Sequence, residues 1–226
     1  PQFKETGWSG NGMTGESKPT LYFHSDAMIV PNPSAFQMQE FTIFIVGVQD
    51  TNQMHSWWHN YISNHGDGGK GWQVRERNNT NQLGWTVRGV TSGNDLSTGV
   101  NVDDQKNVTV VRFSQSEKYS KVWINGDFRL NRHHNGDSTI DYDGSNVKIG
   151  ANGGGSAPGN TALVGYISEL IIFNESLDES EIRLIQYYLS NKWGVSARVD
   201  SNDNGIFDDS DHYLGSGDKF PVTVPQ

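Results

Sequence analysis

Lys121-Val122-Trp123-Ile124-Asn125-Gly126-Asp127-Phe128-Arg129-Leu130 is the stretch on which the fold turns. Asn125-Gly126 accepts the positive φ angles of a two-residue type I′ turn, and a β-former-rich run lies on either side of it. The stretch therefore predicts a β-hairpin, the connection that joins antiparallel strands.

Working outward, apolar runs recur between Gly, Asn and Asp clusters at 20–24, 41–48, 72–77, 83–88, 108–113, 147–149 and 164–173. Many short strands at such spacing predict an antiparallel all-β sandwich. Trp72 and Val74 alternate with Gln73, Arg75 and Arg77, while Leu83, Trp85 and Val87 alternate with Gly84, Thr86 and Arg88. One face of these strands enters a core and the other meets water or a ligand. The run 164–173 differs: Tyr166, Leu170 and Ile172 occupy one phase, and Ile167, Ile171 and Phe173 the other, so both faces are expected to be covered. The cover is expected to follow at once. Asp178 and Glu181 have the spacing of a capping box, Ile182, Ile185, Leu189 and Trp193 recur at helical intervals, and Gly194 ends the helix.

Composition narrows the function. The 226 residues can bury one substantial core plus a short appendage, and no run approaches the roughly 20 apolar residues of a membrane span. With 26 acidic and 17 basic residues the formal charge is -9, which disfavours a nucleic-acid or anionic-membrane partner and favours neutral or cationic ligands. Cysteine is absent, so neither disulfides nor thiolate chemistry are available. The chain starts at Pro1 without a signal peptide, and it is expected to be a segment of a longer secreted polypeptide.

The sequence Asp200-Ser201-Asn202-Asp203-Asn204-Gly205-Ile206-Phe207-Asp208-Asp209-Ser210-Asp211 follows calcium-loop grammar. Calcium takes about six to eight oxygens, and Gly at the sixth position allows the turn that points several side chains inward. Asp200, Asn202, Asn204, the Ile206 carbonyl, Asp208 and Asp211 are the expected ligands. Asp211 stands where a bidentate Glu is usual, which predicts weak affinity and hence filling where calcium is millimolar, outside the cell. The expected division is a jelly roll over 1–197 and an acidic calcium-loop tail, or the start of another module, over 198–226.

Leu21-Tyr22-Phe23, Phe41-Thr42-Ile43-Phe44, Val122-Trp123-Ile124-Asn125-Gly126, Ile149-Gly150-Ala151 and the run 165–173 before the capped helix ending Asn191-Lys192-Trp193-Gly194 together resemble the laminin-G-like branch of the concanavalin A-like lectin/glucanase superfamily. The loop at 200–211 resembles those of dockerin and thrombospondin type 3 repeats. The resemblance implies a jelly-roll β-sandwich with one C-terminal capping helix, a ligand on the concave face or its rim loops, and residence in a large secreted or surface-anchored bacterial protein such as a calcium-dependent adhesin. It does not choose among lectins, glycosidases and protein binders.

Retaining glycosidases flank the scissile bond with two carboxylates about 5 Å apart. Glu76 and Glu169 each stand alone on their strands, and Asp141 and Asp143 precede Gly144 in what reads as a turn. Sugar recognition needs flat apolar surface and planar polar groups. Trp58, His59 and Asn60 supply these in one aromatic-rich segment, His65 and Asp67 in a glycine-bearing loop at 64–69, Asn152 beside Gly153-Gly154-Gly155, and Arg75, Arg77 and Arg88 on the polar phase of two strands. Trp72, Trp85 and Trp123 are assigned to the core, and His133-His134 to a surface turn. The sequence thus points to a non-catalytic carbohydrate-binding module that binds a polysaccharide or cell-surface glycan outside the cell, beside neighbouring domains. A protein-binding module and a hydrolase with acids assembled by the fold are the alternatives.

Overall fold

The computed structural model describes residues 1–4, 18–31, 33–50, 59–65, 69–77, 82–88, 96–102, 105–134, 138–152, 162–199 and 212–214. Fifteen strands and one α-helix are assigned within them. In chain order the strands are β1 (Gln2–Lys4), β2 (Thr20–His24), β3 (Met28–Val30), β4 (Glu40–Gln49), β5 (Asn60–His65), β6 (Gly71–Arg77), β7 (Gln82–Arg88) and β8 (Leu96–Asn101). There follow β9 (Asn107–Ser114), β10 (Tyr119–Ile124), β11 (Asp127–His133), β12 (Val147–Ile149), β13 (Val164–Phe173), helix α1 (Glu179–Trp193), β14 (Ala197–Val199) and β15 (His212–Leu214).

Two antiparallel sheets pack face to face, one ordered β1-β2-β13-β4-β9-β10-β11 and the other β3-β12-β5-β6-β7-β8. The expected all-β jelly-roll sandwich with one helix is the observed architecture. Asn125 and Gly126 have φ angles of 51° and 82°, so the hairpin between β10 and β11 closes with the turn its dipeptide predicts. Between the sheets lie Phe41, Ile43, Ile45, Trp72, Val74, Leu83, Trp85, Val111 and Phe113. The three rings Phe41, Trp72 and Trp85 meet at centroid distances of 5.4, 5.9 and 6.3 Å, within the range of favourable aromatic pairs.

A second, smaller core forms where α1 covers the outer face of the seven-stranded sheet, uniting Phe44, Val46, Val108, Val110 and Trp123 with Ile182, Leu189 and Trp193. The helix begins as its sequence predicts. The Asp178 side chain accepts from the Glu181 N–H, Glu181 reaches back to the Asp178 N–H, and Gly194 closes the helix in the left-handed region. Thr42 fixes the approach to it, donating to the Glu175 carbonyl and accepting from the Leu177 N–H, each at 3.0 Å.

The structure corrects several local expectations. Both faces of β13 are covered, but its phase is not the simple alternation of the sequence. A bulge between Ile167 and Glu169 shifts the register against β4, so Ile167 joins Leu170 and Ile172 on the sandwich side, leaving Ile171 and Phe173 to the helix side. Asn64 and His65 end strand β5 instead of opening a loop. His134 is no surface residue: it is fully buried, and its Nε2 lies 2.8 Å from Ser120 Oγ, which also accepts from the Trp85 indole at 3.0 Å. Short strands β1, β3, β5 and β8 escaped the pattern of apolar runs. Downstream of the helix, β14 pairs antiparallel with β15. Among the described residues, no helix is long and apolar enough to cross a membrane.

Candidate functional site

The six-stranded sheet sends Ile62, Trp72, Val74, Leu83, Trp85, Val87 and Val147 into the core. Side chains alternate between faces along a strand, and in β5, β6, β7, β8 and β12 the opposite phase holds polar residues and glycines, whereas β3 places Ile29 there, opposite Lys148. One row across the sheet runs Lys148, Ser63, Gln73, Thr86, each opposite the next in register. A second row runs Asn60, Arg75, Gly84, Ser97, and a third runs His65, Gly71, Arg88. Arg77 opposes Gln82, which opposes Asn101.

A bulge puts Asn60 in this set. Asn60 pairs with Arg75 and Ile62 with Val74, so Tyr61 is the extra residue. Without the bulge Asn60 and Ile62 would share a face. Tyr61 itself is buried in the core.

The polar rows are well covered. Ser63, Gln73, Thr86 and Asn60 have at most 1% of their surface exposed, while Arg75 and Lys148 retain 7% and 8%. Ser63 Oγ donates to Asn152 Oδ1 at 3.4 Å and accepts from the His65 N–H at 3.0 Å, which ties Asn152 to the edge of the face. The Gln73 Oε1 is buried without a hydrogen-bond partner.

The fold therefore brings Asn60, His65, Arg75, Arg77 and Arg88 onto one face, with Asn152 at its margin. His59 is placed elsewhere. It is buried, its Nδ1 lies 2.8 Å from the Ala162 carbonyl, and its own carbonyl accepts from the Glu76 N–H at 2.9 Å. It helps secure the end of β5, where Asn60 bridges to Ala162. Trp58 and Asp67 lie outside the described residues, as do Asp200, Asn202, Asn204, Ile206, Asp208 and Asp211. Lys148, Ser63, Gln73 and Thr86 were not singled out as site residues. The alternation Val147-Lys148-Ile149 carried the signal for Lys148, and the phase shared with Arg75 carried it for Gln73.

The acidic residues weighed as catalysts are dispersed. Glu76 opposes Leu83 in the core phase of β6. Glu169 is on the helix side of β13, where it bonds Lys192 and Trp193. Asp141 faces Lys70 at 3.7 Å, and Asp143 Oδ1 accepts from the Ser145 N–H at 3.0 Å as in an Asx turn. Among the described residues, no group of three or more His, Asp or Glu is gathered so as to hold a metal ion.

Residues 25–183 match the concanavalin A-like lectin/glucanases superfamily. Among solved structures, the chain is similar to CBM40 of the Ruminococcus gnavus IT-sialidase bound to α2,3-sialyllactose, at 12% identity and a TM-score of 0.56, over 74% of this chain and 96% of that one. The NanB sialidase of Streptococcus pneumoniae is similar at 16% identity and a TM-score of 0.53, over 71% of this chain and 26% of that one. The leech intramolecular trans-sialidase is similar at 12% identity and a TM-score of 0.52, over 72% and 26%. At these identities the likeness is one of fold. No curated protein matches the chain in sequence.

Proposed function

The chain belongs to the concanavalin A-like lectin/glucanase superfamily, and on that premise we propose that it is a non-catalytic carbohydrate-binding module of a secreted or cell-surface bacterial protein with an adhesive role. The observation that carries this reading is the polar face of the six-stranded sheet. Planar amides and guanidinium groups are arrayed there in register, the residue types that bridge adjacent hydroxyls of a sugar. The sialyllactose bound by the similar CBM40 lends further support, since that module uses the same sandwich.

Calcium is the proposed cofactor, held by Asp200, Asn202, Asn204, Asp208, Asp211 and the Ile206 carbonyl. The pairing of Val199 with His212 supports this, because it brings together the two residues that flank 200–211. Bound there, calcium would supply charge neutralisation and rigidity between this module and its neighbour.

A glycan array probed with and without calcium tests the function. Saccharide binding that persists after chelation is the expected result. Silence on every glycan with capture of a protein ligand would assign the face to protein recognition instead, and turnover of a bound polysaccharide would make the module an enzyme.

A further inference from the structure

Each sheet of the sandwich ends in two strands that pair on one side only, β1 and β11 in the larger sheet, β3 and β8 in the smaller. Such edges invite unwanted pairing, and chains blunt them with charge or with a distortion of the strand. β11 carries Asp127, Arg129, Arg132 and His133, and β1 carries Lys4. β8 is distorted at Gly99, whose φ is 72°, and slips register against β7. β3 has neither device, and only its three-residue length, closed by Pro31, limits it. The stretch Ala27-Met28-Ile29-Val30-Pro31 holds no charged residue, and Met28 and Ile29 are 41% and 58% exposed.

The backbone of β3 also has bonds to give. The Gly150 N–H donates to the Tyr61 carbonyl at 2.9 Å, on the same register as the Lys148–Ser63 and Ile149–Ile62 pairs of β12 and β5. In an antiparallel ladder successive residues turn their backbone groups to opposite sides, so Lys148 faces β5 while Val147 and Ile149 face β3. Their register partners Val30 and Met28 take those bonds. The Ile29 N–H and C=O therefore point out of the sheet, and among the described residues no strand lies on that side.

We infer that β3 is a self-association edge, on which a second copy of this chain pairs antiparallel about a two-fold axis at Ile29. Reciprocity identifies the occupant. With donor and acceptor on one residue, each Ile29 N–H donates to the Ile29 carbonyl of the other copy, the isologous contact that a two-fold pair requires. In that register Met28 of one copy meets Val30 of the other, and Val30 packs against the main core, so the apolar interior continues across the junction. The two six-stranded sheets join edge to edge with their polar faces on the same side. Three residues per copy bury only a fraction of the roughly 1,600 Å² of a standard interface, which sets the dissociation constant on the order of 100 μM to 1 mM. Each copy has a formal charge of -9, so long-range repulsion opposes the contact and added salt strengthens it.

The test is sedimentation equilibrium of the full chain from about 10 μM to about 2 mM, which brackets that affinity. The mass should rise from one chain toward two with concentration, and more so at about 0.5 M salt than at about 0.05 M. Ile29→Lys, which places an ammonium on the edge, should weaken the pairing by about tenfold or more, while Ile29→Val keeps it. Circular dichroism checks that both variants fold. Arg132→Glu, on β11 at the far edge of the other sheet, should leave the pairing unchanged. A mass of one chain across the whole range in both salts overturns self-pairing and leaves the edge to a strand of another protein. A dimer that survives Ile29→Lys, or that Arg132→Glu removes, overturns it in favour of another surface. One that weakens as salt rises overturns it in favour of a contact between opposite charges.

Discussion

The Glu169 carboxylate on β13 accepts a hydrogen bond from the Trp193 indole Nε1 at the end of α1, and its other oxygen lies 2.9 Å from Lys192 Nζ. One acidic side chain thus pins the last turn of the helix to the sheet. Its hydrogen bond is also the main reason that the Lys192 ammonium is held above its ordinary pKa. Glu169→Leu should lower stability by about 1–3 kcal/mol in chemical denaturation, because the buried indole N–H loses its acceptor. Glycan binding should be unchanged, since Glu169 is on the opposite sheet.

His134 predicts a pH dependence. Burial, with Arg132 and His133 adding to it, pushes its pKa down to about 4 from an ordinary 6.5. The folded protein keeps the ring neutral while the unfolded chain takes up a proton as pH falls below 6.5. Stability is therefore fully present above that pH and is lost between 6.5 and about 4, by on the order of 3 kcal/mol. Denaturation midpoints measured across this window should fall for the native chain and stay flatter for His134→Gln.

The turn at Asn125 is a second local test. Its Oδ1 accepts from the Val108 N–H at 2.8 Å, its Nδ2 donates to Asn107 Oδ1 at 2.8 Å, and its φ is positive. Asn125→Ala removes both bonds and leaves a side chain less tolerant of that backbone geometry. A loss of about 1–2 kcal/mol is expected in urea denaturation.

Thr42 tests the connection into the helix. Thr42→Val keeps the shape and deletes the hydroxyl, leaving the Glu175 carbonyl and the buried Leu177 N–H each short of a partner. The expected cost is about 1–3 kcal/mol, read as a drop in melting temperature.

For calcium, isothermal titration of the whole chain should find one weak site, and Asp200→Ala or Asp211→Ala should remove it. Retention of the site in both variants would place the metal elsewhere.

How far the sequence could be read depended on how local each signal was. The capping box at Asp178 and Glu181, the Asn125-Gly126 turn and the alternation around Trp72 and Trp85 are short-range statements, and each holds in the fold. The bulges at Tyr61 and Ser168 are one-residue offsets that exist only against a partner strand. They moved Asn60 onto the polar face and Ile167 into the main core, which alternation alone could not foresee. His134 looked like one of two adjacent polar residues, yet it is buried because Ser120 and Trp85 make a hydrogen-bonded niche on strands distant in sequence. Strands β1 and β3 have three residues each, too few for any periodicity to register. The shared strand phase of Arg75, Arg77 and Arg88 was legible because alternation is local. His59 was not, because its bond to Ala162 spans 103 positions.

The Lys18 ammonium donates to the Lys192 carbonyl and lies 5.8 Å from the centre of the Trp193 ring. Lys18 precedes β2, and Lys192 stands near the end of the helix that follows β13, so this contact stitches the segment ahead of β2 to the end of α1. β2 and β13 are antiparallel neighbours, with Leu21 beside Ile167. Tension applied between Lys18 and Lys192 would therefore peel the two strands apart bond by bond, a weak arrangement under load. The stitch lies outside the first of those strand pairs and would carry such a load before the peeling starts.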